Sequence, residues 1–237
     1  MKGRLAKDAS RELESSLQGA FRFSSIKVLS AMTVDLESLV IFISRFATRT
    51  GIDLMVIASN ARTGLPLWLL GSFSETAALI APMPILIIKP HIEVQDFAPV
   101  PHLVVGVDTS VPVPAAALRW IAGTAKSMGA ELDLIHVKPR KRLMDSMAPR
   151  PKKESPELIL QGLQRKFLKA GVSTHVLIKD EVESVAQTLV DCAEQKQAWV
   201  ILTVVAKRSS VRKLLLGSDA RRILSLTRRP FLSLRLE

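Results

Sequence analysis

The feature that most constrains this chain is an ungapped internal repeat. "WLLGSFSETAAL" at Trp68–Leu79 returns as "LLLGSDARRIL" at Leu214–Leu224, and each copy has a proline thirteen residues beyond its glycine. The shift from Gly71 to Gly217 is 146 residues. The same shift lays Leu86 on Leu232, Pro84 on Pro230, Glu37-Ser38 on Glu183-Ser184, and "LMVIA" (Leu54–Ala58) on "VILTV" (Val200–Val204). Further upstream, Leu13, Leu17 and Phe21 fall on Ile159, Leu163 and Phe167. A single period of this length means two copies of one domain and not a solenoid. A chain of 237 residues has room for both.

The second copy reads as alternating strands and helices. "HLVVGVD" (His102–Asp108) is a short apolar, β-branched run of the kind that forms a buried strand. "PAAALRWIAGTAKSMG" (Pro114–Gly129) has proline at a helix start and glycine where a C-terminal cap belongs. "ELDLIHV" (Glu131–Val137) is the second strand, followed by a basic loop. "SPELILQGLQRKFLKAG" opens with Ser155 as N-cap and Pro156 at the first helical position, and ends on Gly171. Strand "VSTHVLI", helix "VESVAQTLVDCAEQ", strand "WVILTVV", helix "SDARRILSL" and strand "PFLSLRL" complete the copy. This alternation predicts right-handed βαβ units and an α/β fold, a doubly wound parallel sheet with helices on both faces.

The first copy is shorter. Gly217 lies 116 residues beyond Pro101, where the second copy begins, whereas Gly71 lies 70 beyond Met1. The difference of 46 residues corresponds to the first strand, first helix and second strand. The expected organisation is a truncated module over 1–99 and a complete one over 100–237. Helix Leu5–Gln18, strand "SSIKVLS", helix "DLESLVIFISRFATRT", strand "IDLMVIA", helix "SETAALIA" and strand "PILIIK" are expected in the first. Losing two strands leaves sheet edges and helix faces uncovered. So "SSIKVLS" is expected to close onto "IDLMVIA", to be covered by a second chain, or to be poorly ordered.

Charge is unevenly divided. Residues 1–100 carry 10 Lys/Arg against 9 Asp/Glu, and the remainder 23 against 13. Seven of the latter cations (Lys138, Arg140, Lys141, Arg142, Arg150, Lys152, Lys153) share one short stretch. Such a stretch recruits nucleic acid or anionic surfaces, or is a solvated loop; no aromatic residue is interleaved to stack on a base. The lone Cys192 excludes a disulfide framework, and no Cys/His spacing fits zinc. The basic start lacks an apolar core for a secretory signal. The longest apolar run, Leu79–Ile88, is too short for a membrane span and holds two prolines. A cytoplasmic setting is expected. His91, His102, His136 and His175 are scattered, and no nucleophile–base spacing is present, so an enzyme is not expected. Cys192 falls on the apolar side of its helix, as a small buried hydrophobe does.

"VVGVDTSVPVPAAALRWIAGTAKSMGAELDLIHV", the twice-used Leu-Leu-Gly-Ser, and the proline-led strands "PMPILIIKP" and "RPFLSLRLE" together resemble the universal stress protein family. The resemblance implies a Rossmann-like sheet of strand order 3-2-1-4-5, here in two tandem repeats with the first incomplete. It also implies a nucleotide at the carboxyl ends of strands 1 and 4, the switch point of such sheets. The family pattern is Gly, two residues, Gly, nine residues, then Gly-Ser or Gly-Thr. Glycines let backbone approach phosphate, and a helix start offers free N–H groups. The second copy keeps Gly217-Ser218, but Val204 and Lys207 occupy the earlier glycine positions; the first keeps Gly71-Ser72 after Ala58 and Ala61. Asp108 matches the adenosine-side aspartate, and Val137 the residue whose backbone meets the base.

The nucleotide residues implied are therefore Asp108, Val137, Lys207, Arg208, Gly217 and Ser218, with the cations replacing N–H groups as phosphate partners. Asp108 reads equally as a turn cap, and Ser218 as a plain helix cap. The expected function is a non-catalytic regulator in stress response, without cofactor, acting through dimerisation and a protein partner. The alternatives are an ATP/ADP sensor with Mg using the second copy alone, and an RNA- or anionic-surface binder using the 138–153 loop. The resemblance also implies that last strands pair between modules, giving a homo-oligomer or, within one chain, a pseudo-dimer.

Overall fold

The computed structural model describes residues 35–58, 72–89, 97–139, 154–182, 184–204 and 218–235. The expected helix Leu5–Gln18 and strand 24–30 lie outside them. In chain order the elements are α1 (Leu36–Arg49), β1 (Met55–Ala58), α2 (Ser72–Ile80), β2 (Ile85–Ile88), β3 (His102–Gly106), α3 (Ala115–Met128), β4 (Glu131–Pro139), α4 (Pro156–Lys169), β5 (Thr174–Val182), α5 (Val185–Gln195), β6 (Val200–Val204), α6 (Ser218–Leu226) and β7 (Phe231–Leu234). The 146-residue shift carries α2 onto α6 and β2 onto β7 end for end, and β1 onto the last four residues of β6.

Local chemistry sets the helix ends. Gly129 adopts φ 61, and the N–H of Ala130 reaches back 2.8 Å to the carbonyl of Ala125, closing α3 with a left-handed residue that glycine occupies without strain. Ser155 Oγ accepts from the Leu158 N–H at 3.4 Å with Pro156 in the first turn, and Ser184 Oγ accepts from the Gln187 N–H at 3.2 Å.

Among the described residues, seven strands form one sheet in the order β1-β2-β7-β6-β3-β4-β5. Within the second copy the order is 3-2-1-4-5 and all neighbours are parallel. β1 is parallel to β2. Among the described strands, the one antiparallel junction joins β2 to β7, with Ile85 opposite Ser233, Leu86 opposite Leu232 and Ile87 opposite Phe231. Leu86 thus faces its own counterpart at the 146 shift, and the register is symmetric about that pair.

Two apolar clusters sandwich the sheet. One gathers Val40 and Ala47 of α1, Ala77 and Ala78 of α2, Leu189 and Ala193 of α5 and Ile223 of α6 against Ile85, Val104, Ile201 and Phe231. The other packs Ala117, Ile121 and Ala125 of α3 and Leu160, Leu163 and Phe167 of α4 onto Leu103, Val105, Leu132, Leu134 and Leu202. Each fully buried leucine contributes about 1.5–3 kcal/mol. The first cluster extends across both copies, because α1 and α2 repeat the roles of α5 and α6. The second belongs almost wholly to the second copy.

Candidate functional site

Ligands of open α/β sheets settle at the carboxyl ends of strands where the connection direction reverses, which here is between β3 and β6. β3 ends at Gly106, whose register partners are Ile135 on β4 and Thr203 on β6. The chain then turns through Val107–Val113 into α3. Asp108 is exposed at the head of this turn. Its Oδ1 accepts from the Ser110 N–H at 2.9 Å, and its carbonyl accepts from Val111 N–H at 3.3 Å. This is an Asx turn, so one carboxylate oxygen already holds the loop shape.

Val137 lies on β4 opposite Lys179, with its side chain buried in the cluster that contains Ile135 and Leu189. Only its backbone is available to a ligand. Next to it, His136 Nδ1 lies 2.9 Å from the carbonyl of Val107. A carbonyl only accepts, so Nδ1 carries the proton, leaving Nε2 to face Thr109 Oγ1 at 3.5 Å. His136 therefore fastens β4 to the loop that carries Asp108. Ser218 opens α6, which follows β6. Asp108, Val137 and the start of α6 thus converge on one end of the sheet. Lys207, Arg208 and Gly217 lie outside the described residues, as do Gly71 and Trp68.

Sequence reasoning missed Thr203. Its Oγ1 is buried without a hydrogen-bond partner on β6, one residue from the strand's carboxyl end and beside Gly106. The signal was a hydroxyl inside the apolar run "VILTV". A second feature nearby is a cavity of about 440 Å³ between the β3–α3 loop and α4, walled by Val107, Thr109, Val113, Leu158 and Ile159, with Lys166 at its rim. Neither Asp108 nor Val137 lines it.

Two further histidines have structural partners. His102 Nδ1 lies 2.9 Å from buried Asp133 Oδ2, and His175 Nε2 lies 3.0 Å from Glu131 Oε2. Cys192 is buried, and desolvation pushes its thiol pKa up, away from reactive thiolate. No group of His, Cys, Asp or Glu among the described residues is arranged to hold a metal ion, and no described helix is long and apolar enough to cross a membrane. Of the basic stretch, Lys138 is described. It pairs with Glu157 at 2.9 Å and Asp180 at 3.1 Å, and its hydrogen bond holds the Glu157 carboxyl down to about 2. Residues 140–153 lie outside the described residues.

The family model described as "Universal stress protein family" matches residues 100–235. Among solved structures, a universal stress protein from Archaeoglobus fulgidus is similar at 19% identity and TM-score 0.67, over 97% of this chain and 76% of that one. A Pseudomonas aeruginosa protein assigned to the same group is similar at 16% identity and TM-score 0.61, over 96% and 77%. Both likenesses extend beyond the matched residues into the first copy. A search of curated proteins gives no match.

Proposed function

The chain belongs to the universal stress protein family, and from that premise we propose a non-catalytic, cytoplasmic regulatory protein that contains its family's dimer within one polypeptide. It joins two copies of one module, over 1–99 and 100–237, and works through a protein partner, not through turnover. The observation that carries this reading is the β2–β7 junction, antiparallel and symmetric about Leu86 and Leu232. A contact in which equivalent residues face each other is what a two-fold interface produces. With β2 in place, the edge of β7 is closed to a second chain. Degraded glycine positions at Val204 and Lys207 support a scaffold in preference to a phosphate cradle.

Native mass spectrometry of the full chain tests this directly. The expected species is a 26.0 kDa monomer with no bound adenosine nucleotide. A dimer would remove the internal pairing as a substitute for the family's assembly, and co-purified ATP or ADP would overturn the scaffold reading.

One observation favours the ATP/ADP sensor as a second reading. Thr203 places an unsatisfied buried hydroxyl at the switch point, an arrangement that costs stability unless something accepts the bond. In this reading Asp108 takes the ribose, the Val137 backbone meets the base, and Gly217, Ser218, Lys207 and Arg208 receive phosphate, with Mg accompanying ATP. A rise in melting temperature in millimolar Mg-ATP that Thr203→Val abolishes is expected. An unchanged melting temperature ends this reading.

A further inference from the structure

α1 carries a polar residue where its counterpart carries an apolar one. Ser44 is 5% exposed, as is Val190, the residue 146 positions on. Its Oγ makes no hydrogen bond. One turn on, Thr48 Oγ1 donates to the Ser44 carbonyl at 3.0 Å, a back-bond of the kind that Ser44 Oγ does not make to its own preceding turn. A buried hydroxyl left unsatisfied destabilises the fold, so its presence at a position that accommodates valine calls for a ligand-facing role.

Ser44 lies in the wall of a groove of about 350 Å³ between α1 and the end of α2. Ile41, Ile80 and Pro82 make its apolar part, and Arg45 and Arg49 border it one helical turn apart. Neither guanidinium has a hydrogen bond or ion pair among the described residues. The corresponding surface on α5 is reversed in character: Ile41, Arg45, Thr48 and Arg49 become Gln187, Asp191, Glu194 and Gln195. The groove's cationic border and hydroxyl are thus peculiar to the first copy, and are not inherited from the repeated module.

We propose that this groove binds a small amphipathic oxyanion, a carboxylate or phosphate monoester on a compact hydrocarbon body. Two arginines spaced i, i+4 point to one side of a helix, and planar guanidinium forks match oxyanions in bidentate fashion. The Ser44 hydroxyl donates a further hydrogen bond to the head group. Ile41, Ile80 and Pro82 bury the hydrocarbon. The site is far in sequence from Asp108 and the β6–α6 turn, and its function does not depend on whether a nucleotide binds there.

Calorimetry on the full chain, with octanoate, octyl phosphate and inorganic phosphate as probes below micellar concentration, decides the matter. One octyl probe is expected to bind at a single site, and the tighter of the two identifies the head group. Inorganic phosphate is expected to bind at least about tenfold more weakly for want of apolar contact. Arg45→Gln with Arg49→Gln, at exposed positions that leave the core intact, is expected to weaken binding at least about tenfold. Ser44→Ala is expected to raise the melting temperature, by removing the unsatisfied hydroxyl, and to weaken binding severalfold. A serine with a merely structural role would not move the affinity. Failure of both octyl probes at millimolar concentration, equal affinity for inorganic phosphate, or unchanged affinity in the double glutamine variant would each overturn the proposal.

Discussion

β1 and β6 are the same strand used twice, and they live in different surroundings. Val200 and Leu202 on β6 are 8% and 0% exposed. Their counterparts Leu54 and Val56 are 36% and 54% exposed. Val200 and Leu202, two residues apart, pack on one face of the sheet. In the second copy that face is roofed by α3 and α4, the helices of the βαβ crossovers among β3, β4 and β5. The first copy has no described helix there. The opposite face is treated alike in both copies, since α1 and α2 cover β1 and β2 as α5 and α6 cover β6 and β7. An apolar, β-branched strand therefore states that it suits burial on two sides, but the rest of the chain determines whether both sides are covered.

The largest effect that can break this comparison comes from truncating the two counterparts. Leu202→Ala empties a fully buried position and is expected to cost about 2–5 kcal/mol. Val56→Ala, at the same place in the first copy, is expected to change stability by no more than about 0.5 kcal/mol. Urea titration of both variants gives the two numbers side by side. Equal and large losses would show that β1 is roofed in solution, and the asymmetry would fall.

A middle-sized effect sharpens the symmetric junction. The α2 carbonyl of Ala78 faces Pro82 four residues on, and proline has no N–H to give it. Ser233 on β7 supplies the missing donor, its Oγ lying 2.9 Å from that oxygen in a buried setting. In the second copy Arg228 stands where Pro82 does and Ile87 where Ser233 does, so the combination of proline and serine serves the α2 end alone. Serine and proline thus act as a pair across the two copies. Ser233→Ala is expected to cost about 1–3 kcal/mol by leaving a buried acceptor unsatisfied. Ser233→Ala in a Pro82→Arg background is expected to cost less, and an identical loss in both backgrounds would break the pairing.

Much of this architecture was legible beforehand because it depends on local pattern. The caps at Ser155 and Gly129 and the order of the elements follow from turn chemistry and periodicity, the 3-2-1-4-5 arrangement of the second copy was implied by the family resemblance, and the Ser184 cap was not anticipated. The candidate site was legible only in part. Asp108 and Val137 were assigned to the carboxyl end of the sheet by motif, but the Asx bond to Ser110 and the burial of the Val137 side chain depend on geometry that spacing does not carry. Thr203 and Ser44 were missed for one reason. A single hydroxyl in an apolar run is common, and only three-dimensional partners reveal that it has none. Likewise, sequence gives no sign that Arg45 and Arg49 border a groove, because the other wall, Ile80 and Pro82, comes from a different helix.

The smallest effect concerns how one copy caps the other. Lys89, just past β2, sends its Nζ to the carbonyls of Thr227 at 2.7 Å and Ser225 at 3.2 Å, at the C-terminal end of α6. A cation there satisfies orphan carbonyls and meets the negative end of the helix dipole. Arg235 is its counterpart at the 146 shift, so the second copy also places a cation after its last strand. Burial opposes the benefit and lowers the Lys89 pKa below its ordinary 10.5. Lys89→Ala is therefore expected to cost no more than about 1 kcal/mol at neutral pH. The sign of the pH dependence follows from the same balance. A folded-state pKa below the unfolded one means that the unfolded chain binds more protons as pH approaches 10.5, so the native protein gains stability with rising pH through this group. The gap in melting temperature between the unaltered chain and Lys89→Ala should widen from pH 7 to pH 10. A gap that narrows instead would mean that attraction to the carbonyls outweighs desolvation, and that the junction is held more by charge than by the Leu86–Leu232 pairing.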